Sequence, residues 1–268
     1  MLNIATTIKS NGADAAFAPA FVRAPLRMID GTAHASACEL CRLNTLCVPE
    51  GLTLNERSEF TALVAPRHKL ETGAALYHAG DAFTHLHLVK TGAFKTVVSL
   101  DDGREQITGF RLPGDTLGVD AIGDNVHASA AVALEESRVC AIPFAQLSRM
   151  SRQSAPVQNY LHRLLAREVV GDQNLMLSLG RMHAEERVAA FLLGLARSHE
   201  RRGLSHSQFT LPMSREDIGN YLGLTLETVS RCLTRLKNAS LIHADFRQIR
   251  IADHDGLRKV IGARENAH

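Results

Sequence analysis

Two periodicities divide this chain. From about Phe60 to Pro143 the apolar residues come in short runs, such as "LHLVKTG", "AFKTVVSL" and "EQITGFRL", punctuated by Gly73, Gly80, Gly92, Gly103 and Gly114. Short runs broken by turn residues predict an antiparallel β-roll or jelly roll, with Asp101, Asp102 and Gly103 turning a hairpin. Beyond Pro143 the period lengthens to that of a helix. Val157, Leu161, Leu164, Leu165, Val169, Leu175, Met176 and Leu179 share helical spacing, which predicts one helix from Val157 to Leu179. Such a helix exceeds the usual roughly 8–20 residues of a globular helix, so it is expected to pack on something beyond its own domain. A partner helix from a second copy is the natural candidate. The seam of that homodimer is assigned to Leu161, Leu164, Leu165, Val169 and Met176.

The stretch "MSREDIGNYLGLTLETVSRCLTRLKNASLI" carries the sharpest local pattern. Ser214 and Asp217 form a capping box that opens one helix, Ile218 and Leu222 face inward, and Gly223 closes it. Thr225 caps a second helix, in which Val229, Leu233 and Leu236 face the core and Glu227, Ser230, Arg231, Thr234 and Arg235 face outward. A short helix, a glycine turn and an Arg-bearing second helix make a helix-turn-helix. The alternating "ASLIHADFRQIRI" that follows predicts the hairpin of a winged variant. A helical hairpin with a merely solvated face is the plainer alternative.

Charge argues against that alternative. The net charge of the whole chain is +2, yet residues 181 to 250 hold 11 Lys and Arg against 7 Asp and Glu. Positive charge is thus concentrated where DNA phosphates would lie. Glu227 stands out, since a carboxylate repels phosphate. It fits a base-reading surface, where it can accept from cytosine N4 while Arg231, one turn on, donates to guanine; as a first-turn acid it equally suits the helix dipole.

With 268 residues, 45% hydrophobic and 22% charged, the composition is that of a globular chain with room for two modest domains. No apolar run approaches the roughly 18 residues of a membrane span, and the N-terminus lacks the apolar core of a secretory signal, so a cytoplasmic protein with no membrane partner is expected. The expected class is α+β. Residues 1–37, rich in Ala, Gly and Pro, read as a flexible arm, 38–150 as a β-roll sensor domain, 151–181 as the dimerisation helix and 182–268 as a winged helix-turn-helix.

The segment "CELCRLNTLC" packs Cys38, Cys41 and Cys47, three of five cysteines, into ten residues. In a reducing compartment such clustering points to metal or redox chemistry rather than a structural disulfide. Four thiolates suit either a [4Fe-4S] cluster or zinc. Structural zinc sites more often use two C-x2-C knuckles and only one is present, but spacing alone leaves both open. A third reading is a metal-dependent barrel enzyme. His85 and His87, with His78 and His127 available, resemble a cupin metal motif, but the carboxylate such a motif expects is missing, and alternation with Leu86 and Leu88 suits an exposed strand face.

The order of barrel, long helix and helix-turn-helix resembles the superfamily of the cyclic-AMP receptor protein. The stretches "GREQITGFRLPGDTLGVDAIG", "AEERVAAFLLGLARS" and "REDIGNYLGLTLETVSRCLTRL" look like the FNR-type (fumarate and nitrate reduction) oxygen-responsive regulators over most of the chain from Cys38 to about Ile251. The resemblance implies a non-enzymatic transcription regulator with a [4Fe-4S] cluster on Cys38, Cys41, Cys47 and, in "ESRVCAIPF", Cys140. A structural-zinc or thiol-redox regulator of the same fold is the alternative. Cys232 matches no ligand position, and Arg42, directly after a ligand, is a candidate for tuning cluster lability. The resemblance also implies RNA polymerase as a partner and TTGAT half-sites in inverted repeat, read by Glu227, Ser230 and Arg231. Relatives of this architecture bind a cyclic nucleotide inside the barrel, with an arginine-serine pair at its phosphate. Here that pair is Ala128-Ser129, and no Lys or Arg stands between Arg111 and Arg138, so no cyclic nucleotide is expected.

Overall fold

The computed structural model describes residues 38–262; the arm expected over residues 1–37 lies outside them. A short helix α1 (Asn44–Cys47) and α2 (Leu54–Leu63) precede the barrel. Thr53 and Glu56 cap α2 reciprocally, a Thr-x-x-Glu box just ahead of the stretch whose pattern predicts strands.

Eight strands follow: β1 (Ala65–Leu70), β2 (Ala75–Tyr77), β3 (His85–Thr91), β4 (Phe94–Ser99), β5 (Glu105–Arg111), β6 (Thr116–Leu117), β7 (Ala130–Ala133) and β8 (Ser137–Pro143). They form two four-stranded sheets, ordered β1-β8-β3-β6 and β2-β7-β4-β5, a jelly roll with antiparallel pairing throughout. Alternation sets the faces. Leu86, Leu88 and Val89 of β3 are buried, whereas His85 and His87 are partly exposed. Leu70, Leu76, Val89, Phe94, Leu117 and Val139 fill the space between the sheets. The β4–β5 connection turns through Asp101–Gly103, with Gly103 at φ 84.

Past the barrel come α3 (Phe144–Ser151), α4 (Ala155–Arg181) and α5 (Ala184–Glu200). At 27 residues, α4 is about 40 Å long. Its first turns are anchored in its own chain: Val157, Tyr160 and Leu164 are buried with Phe60, Leu86, Ile142 and Leu147. Leu164, placed above on the intermolecular seam, is thus only 7% exposed and belongs to the sensor core. Leu161 is half-buried beside it, while Leu165, Val169 and Met176, with Val170 and Leu177, remain exposed. The apolar stripe is wide enough to serve two surfaces, and the inner one takes Leu164 because Phe60 and Leu147 lie under it.

The C-terminal region is β9 (Gln208–Thr210), α6 (Arg215–Leu222), α7 (Leu226–Asn238), β10 (Ile242–Asp245), β11 (Gln248–Ile251) and α8 (His254–Gly262), the last without a counterpart in the sequence reading. Ser214 and Asp217 cap α6, and Gly223 ends it at φ 63. Thr225 caps α7. β10-β11-β9 make the wing sheet.

Polar contacts fix this region against the barrel. Lys95 Nζ of β4 lies 2.7 Å from Asp217 Oδ1. The Asn220 carboxamide accepts from the Ile107 amide at 2.6 Å and donates to the Glu105 carbonyl at 2.9 Å, and so continues the edge of β5. Arg202, just past α5, pairs with Asp115 at 2.7 Å and donates to the Pro113 carbonyl.

Candidate functional site

Cys38, Cys41, Cys47 and Cys140 line one small hollow of about 30 Å³, together with Leu43, Val48, Val64, Leu88 and Lys90. Three arrive on one short segment that ends in α1. Cys41 N donates to the Cys38 carbonyl and Asn44 N to the Cys41 carbonyl, so the first two cysteines sit on successive turns leading into α1. Cys140 comes from β8, which lies between β1 and β3 and is held on both sides. Sequence reasoning missed the strut behind this segment. Asn44 Nδ2 donates to the Cys38 carbonyl at 2.7 Å, and its Oδ1 accepts from Arg57 Nη2 of α2 at 2.6 Å. Asn44→Ala is expected to destabilise the fold by about 1–3 kcal/mol, because it leaves partly buried partners unpaired. Urea unfolding of Asn44→Ala, Arg57→Ala and the double variant checks this; additive losses would mean that the two residues do not act as a unit.

Burial pushes the Cys47 thiol up to about 12, and the neighbouring Cys140, Cys41 and Cys38 add to it. Burial likewise raises Cys140 to about 11, with Lys90 opposing. Cys38 is raised by burial and by Cys41, again against Lys90. Three of the four thiols, Cys38, Cys47 and Cys140, thus resist ionising beside one another, a cost that a cationic group displacing their protons would relieve. Lys90, rather than the exposed Arg42, is the cation that lines the hollow. No three His, Cys, Asp or Glu side chains among the described residues stand close enough to grip one metal ion. Three histidines of the cupin-like reading join an aromatic stack instead: the His85 and His87 rings are 6.2 Å apart, and Tyr77 stacks on His127 at 3.6 Å.

The hollow shares its walls with other parts of the chain. Val48, Tyr160 and Val157 belong to one apolar cluster on which Cys38, Cys47 and Cys140 pack. Tyr160 is fully buried in that cluster, and burial, then Cys47, raises its hydroxyl's pKa. Gly114 sits at φ 91, and a Cβ there would meet Leu46 Cδ1 at 2.8 Å. The 113–115 turn therefore lies between the cysteine loop and Arg202.

A second hollow lies between the barrel and α4, lined by Thr96, Arg111, Asp120, Ser129, Glu168 and Asp172 among others. Arg111 immediately precedes the cation-free stretch 112–137, and the fold brings it here. Its guanidinium is engaged by Glu168 at 2.6 Å. Asp120 accepts from the Ala128 and Ser129 amides and the Ser129 hydroxyl.

On α7, Val229, Leu233 and Leu236 are buried, as is Cys232 at 1% exposure. Cys232 is therefore part of the domain core. Glu227, Arg231, Thr234 and Arg235 are exposed and Ser230 is half-exposed. Arg215 of α6, also missed, donates to the Ser230 hydroxyl at 3.1 Å. The Thr234 hydroxyl bonds back to the Ser230 carbonyl, and Arg235 lies 3.6 Å from Glu185.

A jelly roll joined through a long helix to a winged helix-turn-helix defines a DNA-binding transcription regulator. Residues 67–154 match the Cyclic nucleotide-binding domain, and residues 186–260 match the Crp-like helix-turn-helix domain. The chain is 40% identical to the "Transcriptional regulatory protein btr" of Bordetella pertussis, over 88% of this chain and 98% of that one. It is 38% identical to the "Fumarate and nitrate reduction regulatory protein" of Escherichia coli (strain K12), over 90% of this chain and 96% of that one. FixK2 from Bradyrhizobium japonicum superposes with a TM-score of 0.67 at 34% identity, covering 74% of this chain and 96% of that one. The chain belongs to the Crp/FNR family of transcription regulators, and within it is FNR-like. No helix among the described residues is long and apolar enough to cross a membrane.

Proposed function

We propose that this chain is a homodimeric, oxygen-responsive regulator that holds a [4Fe-4S] cluster on Cys38, Cys41, Cys47 and Cys140. The observation that carries the reading is that all four thiols line one hollow, and that Cys38, Cys47 and Cys140 pack on the apolar cluster that holds Val157 and Tyr160 of α4. Thiols spaced around a hollow suit a group that offers one iron to each sulfur. Zinc would need all four sulfurs at about 2.3 Å from one point. When bound, the cluster supplies iron–thiolate bonds that oxygen can dismantle.

The chain's own residues carry the consequence. Cys47 and Val48 pack in the cluster of side chains that holds Val157 and Tyr160, so a fixed cysteine loop steadies α4 and a loosened loop frees it. Any ligand that favours the dimer-competent arrangement shifts the population toward it. In the second hollow Asp120, Glu168 and Asp172 outnumber Arg111, which disfavours a phosphate, so the reading includes no cyclic nucleotide.

Analysis of anaerobically purified protein tests the proposal. Iron and acid-labile sulfide should be equimolar, and exposure to air should lower both, shift sedimentation toward monomer and weaken binding to a TTGAT palindrome. Zinc, or iron without sulfide, would refute the cluster.

The seam has its own test. Val169→Asp, on the exposed stripe, should yield monomers that keep the cluster. Leu164→Asp should instead lose fold and cluster together, because it places an unpaired charge in the sensor core. Unchanged anaerobic sedimentation of Val169→Asp would put the seam elsewhere.

A further inference from the structure

The wing carries a residue that its backbone does not favour. β10 and β11 are joined by a two-residue loop, Phe246 and Arg247, between the paired Asp245 and Gln248. Tight hairpin loops of this kind want a left-handed first position, which glycine, asparagine or aspartate fills most easily. Here Phe246 holds it at φ 50, with its ring 83% exposed. The other non-glycine residues at positive φ among those described are Asn125 and Ser240, both small and polar. Neither local conformation nor core packing accounts for a phenyl ring at this tip.

The surroundings say what would cover it. The chain leaves α7 and turns directly into β10, and Lys237 Nζ at the end of α7 donates to the Ala244 carbonyl at 3.5 Å. Arg247 Nη1 donates to the Pro212 carbonyl at 3.4 Å and ties the tip down. On the hairpin and at the end of α7, Lys237, His243, Arg247 and Arg250 are exposed, and the acid of the hairpin is Asp245. A ring with a basic rim, held beside the outward helix of a helix-turn-helix, is complementary to a nucleic acid that offers apolar sugar edges and base faces between phosphates. A second copy of the same tip would bring like charges together.

We propose that Phe246 is a DNA contact of the wing: with α7 in the major groove, the ring enters the adjoining minor groove just outside the half-site, and Arg250 and Lys237 lie toward the flanking phosphates. Apolar side chains inserted in this way pry at a base step, while the cations add affinity without sequence preference. The inference rests on the DNA-binding role of α7 and not on the cluster.

The test uses the full chain, purified anaerobically, at one fixed salt and then across a salt series. The duplexes are a TTGAT palindrome carrying 2-aminopurine at the step outside each half-site, and an unrelated sequence. Phe246→Gly suits the left-handed backbone, so its melting temperature should match or exceed that of the wild type. Its affinity for the palindrome should nevertheless fall about tenfold, with the salt slope unchanged and the 2-aminopurine response lost. Arg250→Ala should lower the salt slope by about one. Wild-type affinity and fluorescence in Phe246→Gly would overturn the proposal, as would altered sedimentation with unchanged DNA affinity, which would make the tip a protein contact. Should the wild type fail to prefer TTGAT, the sequence assignment falls, and the ratio of Phe246→Gly to wild type on the unrelated duplex still decides the role of the ring.

Discussion

Cys140→Ser protein, purified without oxygen, is expected to lack the visible absorbance of the wild type, to sediment as monomer and to bind the TTGAT palindrome about 5- to 150-fold more weakly, the usual span of a coupling between two sites. Cys38, Cys41 and Cys47 share one short segment that ends in α1, and such a segment can adjust. Cys140 cannot, because β8 is paired on both sides, with Cys140 opposite Pro66 on β1 and Leu88 on β3. In the proposed cluster its sulfur would be the fixed point to which Cys38, Cys41 and Cys47 are tied. Serine fills nearly the same volume, so the barrel should survive, but a hydroxyl does not replace a thiolate toward iron. The matched control is Cys232→Ser. That thiol is buried in the DNA-binding core behind Val229 and Leu233, outside the residues that line the hollow, and the variant should keep full absorbance with only a modest loss of stability. Equimolar iron and sulfide retained in Cys140→Ser would remove Cys140 from the ligand set and reopen the choice of metal.

What the sequence made legible was local. The Ser214–Asp217 box, the Gly223 stop and the Thr225 cap each involve residues within four positions of one another, and the structure has each of them. Strand punctuation by glycine is equally local. Features made by distant segments were not legible from spacing and periodicity; Cys140 was grouped with the clustered cysteines only through the family resemblance. Helical spacing groups Leu161, Leu164 and Leu165 together, and only the position of Phe60 and Leu147 shows that Leu164 points inward. Arg111 enters the barrel hollow from β5 and meets Glu168 fifty-seven positions away, a placement that no single stretch of sequence carries. Asn44 reads as an ordinary polar residue until Arg57 is seen to hold it. Lys90 sits in a strand and Cys38 on a loop, and only the fold makes one oppose the ionisation of the other.

The outward face of α7 separates a specific regulator from a basic protein that merely binds nucleic acid. Arg231→Ala should cost about 1–3 kcal/mol per half-site and relax preference at one G·C pair, as expected for loss of a bidentate guanine contact. Glu227→Ala should behave in the opposite sense on unrelated DNA. It removes a carboxylate that repels phosphate, so non-specific affinity is spared or raised while discrimination between matched and mismatched sites is lost. The geometry favours this pairing. Glu227 and Arg231 are one turn apart and both exposed, while Val229 and Leu233 hold the helix to the domain. Ser230 lies between them with its hydroxyl engaged by Arg215, which places a second guanidinium beside the reading face. Arg215→Ala should therefore weaken matched and mismatched sites alike if that group lies against phosphate, with a lower salt slope, whereas Arg231→Ala should change the ratio between sites. The measurement is binding of the anaerobic protein, at one fixed salt, to the palindrome and to duplexes with each base pair changed in turn. If Glu227→Ala keeps the full wild-type ratio, the carboxylate reads no base, and its place in the first turn of α7 reduces to compensating the helix dipole.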